Sequence, residues 1–189
     1  PGSYANDEDA FFGEQRTLYL RGTSVVIWTT TPWTIPQNRA VSFNPGIEYG
    51  VYRVDAVAEN ATAVVGERLI IADKLAEGVM ASAKVTGFTR ETNCMAADFE
   101  GVLLAHPYRG IEGGQGEWDY DVPLLPGDHV TDDAGTGFVH TAPSHGDDDY
   151  QMGLKFGLPM TYNVEADGSY RKDLPLFGGQ FIIGADGKE

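Results

Sequence analysis

Short runs of β-branched and aromatic residues recur along this chain, and turn-forming residues separate them at close intervals. Such runs predict β-strands. Parallel neighbours in a sheet need a long crossover connection. The close spacing, with 24 glycines and 10 prolines, therefore favours a barrel or a sandwich over a parallel sheet. The predicted strands are Thr17–Arg21, Ser24–Thr30, Ala40–Phe43, Tyr49–Val57, Ala61–Val65, Arg68–Ala72, Lys84–Thr89, Asp98–Leu104, Gly137–Thr141 and Gln180–Ile183.

Two segments within this β-rich pattern predict helices. Asp73–Ala81 opens on an aspartate, a residue typical of a helix N-cap. Asp147–Phe156 stops before Gly157, and glycine is common just past the C-terminus of a helix. We therefore predict a mainly β fold with a few helices (α+β), in which the sheet forms a closed or partly open β-barrel.

The charge of the chain limits its partners. It carries 28 acidic against 13 basic residues, a formal net charge of −15. Phosphate neutralisation dominates binding to duplex nucleic acid, and the sequence has no lysine–arginine cluster that could supply it. We expect any nucleic acid to contribute only one end, delivered by another module. The acidity itself is typical of a solvated surface.

Composition also bounds the compartment and the domain organisation. The single cysteine, Cys94, excludes an internal disulfide and a thiolate metal cage and fits a reducing compartment. No apolar run approaches the ~20 residues of a membrane span, so we predict no membrane association and a cytoplasmic location, with an organelle as the alternative. We predict a disordered polar lead-in over residues 1–13, a possible tag remnant at its start, and a single monomeric domain over 14–189.

Two distant segments concentrate polar chemistry. The threonine segment, WTTTPWTIPQNRA, covers Trp28–Ala40, and the histidine–aspartate segment, GTGFVHTAPSHGDDDY, covers Gly135–Tyr150. Pro32 forces the preceding residue into extended geometry, and hydroxyls on such a stiff bend can orient a water or a polar substrate group. The alternative is an ordinary strand end, where threonine is common. The threonines of the first segment are Thr29, Thr30, Thr31 and Thr34.

Asp149 is the acid that a structural role explains least. Acids in the first helical turn stabilise the helix dipole, which accounts for Asp147 and Asp148. Asp149, however, shares the inward face of the predicted helix with Met152 and Phe156. An unpaired buried carboxylate is costly, so Asp149 should meet a cation or several donors there.

The two histidines allow several interpretations. A strand histidine such as His140 is more often structural than a ligand, and His145 fits a helix cap or a loop contact. Imidazole and carboxylate are common metal ligands, but the spacing matches no standard metal motif, so no metal site is predicted. Ser144, His145 and Asp147 crowd one turn and cannot align as a catalytic triad. The chain also lacks a nucleophile elbow, a Walker loop and a dinucleotide fingerprint.

Both segments closely resemble signatures of the inserted editing (CP1) domain of isoleucyl-tRNA synthetase, a class I aminoacyl-tRNA synthetase. The threonine segment is similar to the family's TTTPWT peptide, and the second segment to its GTG-x-VHTAP-x-HG-x-DDY signature. Related valyl and leucyl editing domains carry TTRP at the first motif, so Thr31-Pro32-Trp33-Thr34 indicates the isoleucyl branch. The resemblance covers about 17–184 and implies the barrel type of these editing domains.

The resemblance implies a catalytic set of four residues. Asp149 would bind the valine α-ammonium, which supplies the cation that its position requires. Thr30 and Thr31 would hold the substrate and orient the attacking water. His140 would line the side-chain pocket and exclude the larger isoleucine. Positioned donors can stabilise an oxyanion without a triad, and no general base is identified.

The resemblance also implies a substrate-binding set. Thr29 and Thr34 would support the threonine cluster, and Trp33 and Asn38 would shape the pocket and contact the terminal adenosine. Gly137 belongs to the same set through the second signature. No metal and no cofactor are implied for this chain; a parent enzyme would use ATP and magnesium at a site absent here, because the HIGH-type and KMSKS-type signatures are missing.

The implied function is hydrolysis of Val-tRNA(Ile), and also of valyl-adenylate before transfer. One methylene contributes only about 1–3 kcal/mol of discrimination, and isoleucyl-tRNA synthetase is itself the standard illustration of this limit and of the editing that overcomes it. The implied partners are the aminoacylated 3′ end of tRNA(Ile), the valine moiety and the catalytic core of a parent synthetase. The alternatives are a non-catalytic aminoacyl-adenosine binding module, a stand-alone trans-editing deacylase and a histidine–aspartate metalloprotein.

Overall fold

A computed structural model describes residues 19–184 of the 189-residue chain. The predicted lead-in over 1–13 lies outside these residues. Three short 3-10 helices accompany the strands and α-helices, at Pro32–Gln37, Asp73–Leu75 and Ala96–Asp98. The strands are β1 (Ser24–Val25), β2 (Ala40–Phe43), β3 (Tyr49–Val57), β4 (Arg68–Ala72), β5 (Val85–Cys94), β6 (Leu103–Ala105), β7 (Asp121–Pro126) and β8 (Phe138–Thr141), and the helices are α1 (Ala76–Ser82) and α2 (Asp147–Phe156).

The strands form two four-stranded sheets, in the orders β1-β4-β3-β5 and β6-β7-β2-β8. Both sheets are mixed, because β1 pairs with β4 and β2 with β7 in parallel, while the other pairs are antiparallel. The chain just after β1 joins them edge to edge: Trp28 forms an isolated bridge with Val139 of β8. No pairing within 19–184 links β5 to β6. The predicted mainly β class is therefore confirmed. The sheets of the described residues do not form a closed barrel.

Aromatic side chains fill the main core between the sheets. Phe43, Tyr49, Phe99 and Phe138 are all almost fully buried. Their rings meet at angles and short separations, such as 4.6 Å between the centroids of Tyr49 and Phe138, an arrangement that adds to the gain from burial alone. Full burial of each such side chain contributes roughly 1.5–3 kcal/mol, so this cluster fixes how the two sheets pack.

Several predicted elements have their predicted bounds. The strands at 40–43, 49–57 and 68–72 and the helix at 147–156 agree with β2, β3, β4 and α2. The strand predicted over 137–141 begins one residue later as β8. The helix predicted over 73–81 divides into the 3-10 turn Asp73–Leu75 and α1, and the strand predicted over 84–89 continues to Cys94 because it pairs with β3 along most of its length.

Other predicted strands are wrong. Residues 61–65 form a loop between Asn60 and Gly66, both at positive φ, and its Val64 and Val65 side chains are exposed rather than packed. Within 17–21, the described residues 19 and 20 are helical and Arg21 begins a turn. In each case the residue composition suits a strand, but no neighbouring strand pairs with the described residues of the segment.

Further strands are shortened, and one is missed. The strand predicted over 24–30 stops at Val25 apart from the bridge at Trp28, and residues 98–104 contain a turn before β6 begins at Leu103. Over 180–183 only Phe181 forms a bridge. Strand β7 is unpredicted because it contains Pro123 and Pro126, and proline normally argues against a strand interior.

The 3-10 helix Pro32–Gln37, which carries part of the threonine segment, is fixed by side chains from distant parts of the chain. Pro36 lacks an N–H and prevents a longer helix. The carbonyl oxygens of this 3-10 helix, and that of Asn38 just after it, accept hydrogen bonds from buried or half-buried side chains. The bonds run from Tyr170 Oη to the carbonyl of Trp33 (2.7 Å), from His106 Nε2 to that of Ile35 (3.0 Å), from Trp118 Nε1 to that of Pro36 (3.0 Å) and from Tyr120 Oη to that of Asn38 (3.0 Å).

Candidate functional site

The two motif segments meet at one cavity. Antiparallel pairing of β2 with β8 places Val41 opposite His140, which brings the end of the threonine segment beside the histidine–aspartate segment. The cavity between them has a volume of about 390 Å³. It is lined by Trp28, Thr29, Thr30, Thr31, Trp33, Val139, His140, His145, Gly146, Asp147, Asp148 and Asp149.

The threonines form a connected hydroxyl cluster at the cavity. Thr29 Oγ1 accepts a bond from the backbone N–H of Thr31 (3.0 Å) and lies 3.4 Å from Thr31 Oγ1. Thr31 Oγ1 in turn lies 3.3 Å from Thr34 Oγ1, which is also 2.7 Å from the Thr31 carbonyl oxygen. Thr30 is exposed, and its hydroxyl has no partner among residues 19–184. The free hydroxyl of this cluster is therefore that of Thr30.

Asp149 lies in the first turn of α2, half-buried at the wall of the cavity. Its Oδ2 accepts a hydrogen bond from the backbone N–H of Ala142 (2.8 Å). Burial raises the pKa of this carboxyl to about 6, partly offset by the Ala142 bond and assisted by the nearby Asp148 charge. No basic side chain in the described part of the chain pairs with it. Asp149 is thus a half-buried carboxylate that no described basic side chain neutralises.

His140 forms a rigid part of the cavity wall. It is 3% exposed, and both ring nitrogens are engaged: Nε2 lies 2.9 Å from Thr34 Oγ1 and Nδ1 lies 2.8 Å from Asn38 Oδ1. Burial lowers the pKa of the imidazole to about 4, with smaller contributions from His106 and His145. A neutral ring whose nitrogens are both occupied suits a pocket wall better than a proton acceptor.

Two predicted contact residues lie behind the cavity. Thr34 and Asn38 are each 1% exposed, and neither lines the cavity. Their side chains fix the His140 ring through hydrogen bonds to its two nitrogens. Trp33 does line the cavity, and its indole meets the His145 ring edge-on, with the centroids 5.0 Å apart. The structure therefore brings Trp33, but not Asn38, to the cavity.

Gly137 lies in the core rather than at the cavity. Its φ of +84° is a conformation that side-chain-bearing residues rarely adopt, and a Cβ added there would lie 2.4 Å from the Cβ of Ala72. Its carbonyl accepts a hydrogen bond from the Tyr49 hydroxyl (2.8 Å). Glycine at this position is explained by backbone conformation and close packing.

Replacing Gly137 with alanine is expected to destabilise the fold strongly. A positive φ costs a non-glycine residue roughly 1–2 kcal/mol, and the contact with Ala72 requires additional backbone movement. Gly66 is the matched control, because its φ is +90° but nothing lies within 4 Å of an added Cβ. Urea unfolding should show a clearly larger loss for Gly137→Ala than for Gly66→Ala; equal losses would contradict this account of Gly137.

Several residues at or behind the cavity were not predicted as site residues, and Trp28, His145 and Gln37 are the most informative of them. Trp28 is 40% exposed, although a tryptophan next to a strand is ordinarily a core residue. His145 lines the cavity, where the sequence favours a cap or a loop contact. Gln37 is buried, and its Nε2 lies 2.8 Å from His145 Nε2. The available signal is that all three fall inside the two motif segments.

Within 19–184, no cluster of three or more histidine, cysteine, aspartate or glutamate side chains has the geometry to hold a metal ion. No helix in the same range has the length and apolar character needed to cross a bilayer.

Sequence comparison finds isoleucine–tRNA ligases as relatives of this chain. The chain is 51% identical over 175 residues to the isoleucine–tRNA ligase of Caulobacter vibrioides, a match that covers 89% of this chain and 17% of the relative. It is 45% identical over 175 residues to the isoleucine–tRNA ligase of Ruegeria pomeroyi, covering 90% of this chain and 18% of the relative. The chain thus spans less than a fifth of the length of these curated relatives. A scan against protein-family models gave no match.

Solved structures that share this fold include leucyl-tRNA synthetase editing domains. GlLeuRS-CP1 aligns with a TM-score of 0.54 at 20% identity, over 82% of this chain and 54% of that one. The editing domain of the P. falciparum cytosolic leucyl-tRNA synthetase aligns with a TM-score of 0.52 at 12% identity, over 88% and 60%. At such identities the likeness concerns the fold alone. The chain is therefore homologous over about 90% of its length to a segment of isoleucine–tRNA ligases, and it has the fold of leucyl-tRNA synthetase editing (CP1) domains.

Proposed function

We propose that this chain hydrolyses the ester that joins valine to the 3′-terminal adenosine of tRNA(Ile), and that it can also hydrolyse valyl-adenylate. The observation that carries the proposal is the half-buried carboxylate of Asp149, which faces the cavity without a basic partner in the described residues. An aminoacyl ester carries a free α-ammonium, which would supply the missing cation.

The hydroxyl cluster supports an attack by water. Thr30 lines the cavity with a hydroxyl that no residue within 19–184 bonds, and Thr31 lies beside it in a network that fixes its position. Hydroxyls held in this way can orient a water and donate to the oxygen on which charge develops. No side chain at the cavity serves as a clear general base, so we assign proton transfer to the substrate's own ribose hydroxyl.

The wall of the cavity supports selection by size. His140 is held at both ring nitrogens and cannot move aside without breaking a buried hydrogen bond. A rigid wall can admit the valyl side chain and exclude the isoleucyl side chain, which is longer by one methylene. Selection of this kind complements a synthetic site that accepts valine too readily.

The remaining parts of the proposal concern partners. The relatives carry an isoleucine–tRNA ligase name, which supports the catalytic core of a parent synthetase as the partner that delivers the 3′ end. A net charge of −15 disfavours independent capture of tRNA. A monomeric state and a cytoplasmic location remain predictions.

Deacylation of Val-tRNA(Ile) and Ile-tRNA(Ile) by this chain tests the proposal. We expect the valyl ester to be cleaved at least about tenfold faster at equal concentrations, within the range that one methylene provides. A non-catalytic binding module would bind the aminoacyl end without turnover. A wild-type chain that binds the aminoacyl end but cleaves neither ester, or that cleaves both equally, contradicts the proposal.

A further inference from the structure

The protonation pattern of His145 is determined by its hydrogen-bond neighbours. The backbone N–H of Asn163 donates to Gln37 Oε1 (3.3 Å), and a backbone amide can only donate. Gln37 therefore presents its amide nitrogen to His145 Nε2, 2.8 Å away. Since an amide NH₂ only donates, Nε2 of His145 must accept, and the ring proton of neutral His145 lies on Nδ1.

The Nδ1 atom of His145 is directed to accessible space. It has no hydrogen-bond partner among the described residues. The buried polar atoms that lack a partner do not include it, so Nδ1 is accessible to solvent. His145 is also one of the residues that line the cavity. Its ring is held by Gln37 on one side and by the edge-on contact with Trp33. His145 is thus a cavity-lining residue with a positioned N–H that is accessible to solvent.

We propose that His145 is a catalytic residue whose Nδ1–H hydrogen-bonds the acyl oxygen of the bound ester, an inference that rests on the proposed function. The group acts as a neutral donor, not as a base, because Nε2 is already occupied by the Gln37 amide. As water adds to the carbonyl carbon, the acyl oxygen gains negative charge, and a preorganised donor stabilises it. No proton leaves His145 in this step.

The position of Asp149 supports the choice of the acyl oxygen. In an α-amino ester, the ammonium nitrogen and the carbonyl oxygen are on adjacent carbons, so a group that anchors the first brings the second close. His145 lies four residues before Asp149, just ahead of helix α2, and both line the same cavity. A substrate whose ammonium pairs with Asp149 would therefore place its acyl oxygen within reach of donors near His145.

The tautomer can be measured directly. Long-range ¹H–¹⁵N spectra of the imidazole rings should show His145 protonated at Nδ1 at neutral pH. His106 is an internal reference of the opposite kind, because its Nε2 donates to the Ile35 carbonyl and its Nδ1 accepts from the backbone N–H of Tyr108. An Nε2-protonated His145 would overturn the inference without any assay of activity.

Two substitutions separate the donor from the structural contact. In His145→Asn the side-chain amide can place an N–H near the position of Nδ1, whereas in His145→Gln the amide reaches the Nε2 position beside Gln37. We expect kcat for Val-tRNA(Ile) to fall about a hundredfold in His145→Gln with little change in KM, in line with loss of one oxyanion donor. His145→Asn should recover most of this loss.

The outcomes distinguish this inference from the proposed function. If the wild type hydrolyses the valyl ester but His145→Gln is as fast, the donor role is wrong and the editing function stands. A rise in KM with kcat unchanged would place the contact in the ground state and also overturn it. If the wild type has no hydrolytic activity, the proposed function fails, and the role in acyl transfer fails with it.

Discussion

Replacing Asp149 with asparagine is expected to reduce hydrolysis of Val-tRNA(Ile) by at least about a hundredfold. Removing one partner of a buried ion pair typically costs 3–5 kcal/mol, and each 1.4 kcal/mol corresponds to a factor of ten. The neutral amide has nearly the shape of the carboxylate but cannot pair with the α-ammonium. Single-turnover deacylation of the valyl ester measures the effect.

Asp148→Asn is the matched control for this prediction. Asp148 is the preceding residue of the same helical turn and also lines the cavity, but its side chain is exposed. An exposed charge contributes little to binding, so this variant should hydrolyse the valyl ester within a few-fold of the wild type. Equal losses in the two variants would indicate a general charge effect and would remove Asp149 from its assigned role.

Unfolding measurements on Asp149→Asn test the raised pKa of the Asp149 carboxyl. The pKa of Asp149 is raised to about 6 from an unfolded value near 3.9, so the folded state binds the proton more tightly. This group therefore favours folding most below pH 4, and that contribution is lost as the pH rises through 6. Asp149→Asn should fold normally and lack this part of the pH dependence in urea titrations.

Replacing His140 with alanine is expected to remove the preference for the valyl ester. Without the ring, the wall of the cavity recedes where the larger isoleucyl side chain would meet it. Ile-tRNA(Ile) should then be cleaved at least about tenfold faster than by the wild type, since one methylene supplies at most 10- to 200-fold discrimination. The ratio of kcat/KM for the two esters measures the change.

The same substitution leaves Thr34 and Asn38 without their buried partner and should destabilise the fold by about 1–3 kcal/mol. Ser42→Ala is the control, because it removes a buried hydrogen bond to Thr141 on the neighbouring strand without touching the cavity. It should lose comparable stability and keep its selectivity. Unchanged sparing of Ile-tRNA(Ile) by His140→Ala would remove His140 from the size filter.

The elements that sequence patterns predicted well are those with strong local signals. The helix Asp147–Phe156 has acidic residues in its first turn and Gly157 at its end in the left-handed conformation, and it was predicted with the observed bounds. Strands β2, β3 and β4 alternate with clear turn residues. Strand β7 was missed because its prolines argue against a strand locally, whereas its pairing with β2 and β6 is set by distant residues.

The site was predicted in composition but only partly in arrangement. The motif segments meet as expected, and Asp149 lines one cavity together with Thr29, Thr30 and Thr31. The sequence could not show that Thr34 and Asn38 lie beneath His140, because polar residues are ordinarily expected at the surface and their burial depends on mutual hydrogen bonds. The role of Gly137 depends in the same way on a non-local contact, with Ala72.

The affinity for two non-hydrolysable adenosine amides tests the central claim most directly. One carries a valyl group, and the other carries the same acyl group without its α-amino group. We expect the wild type to bind the valyl compound at least about a hundredfold more tightly, a difference of about 2.8 kcal/mol, and Asp149→Asn to bind both alike. Equal affinities of the wild type for the two compounds would contradict the account, because the carboxylate would then recognise no ammonium.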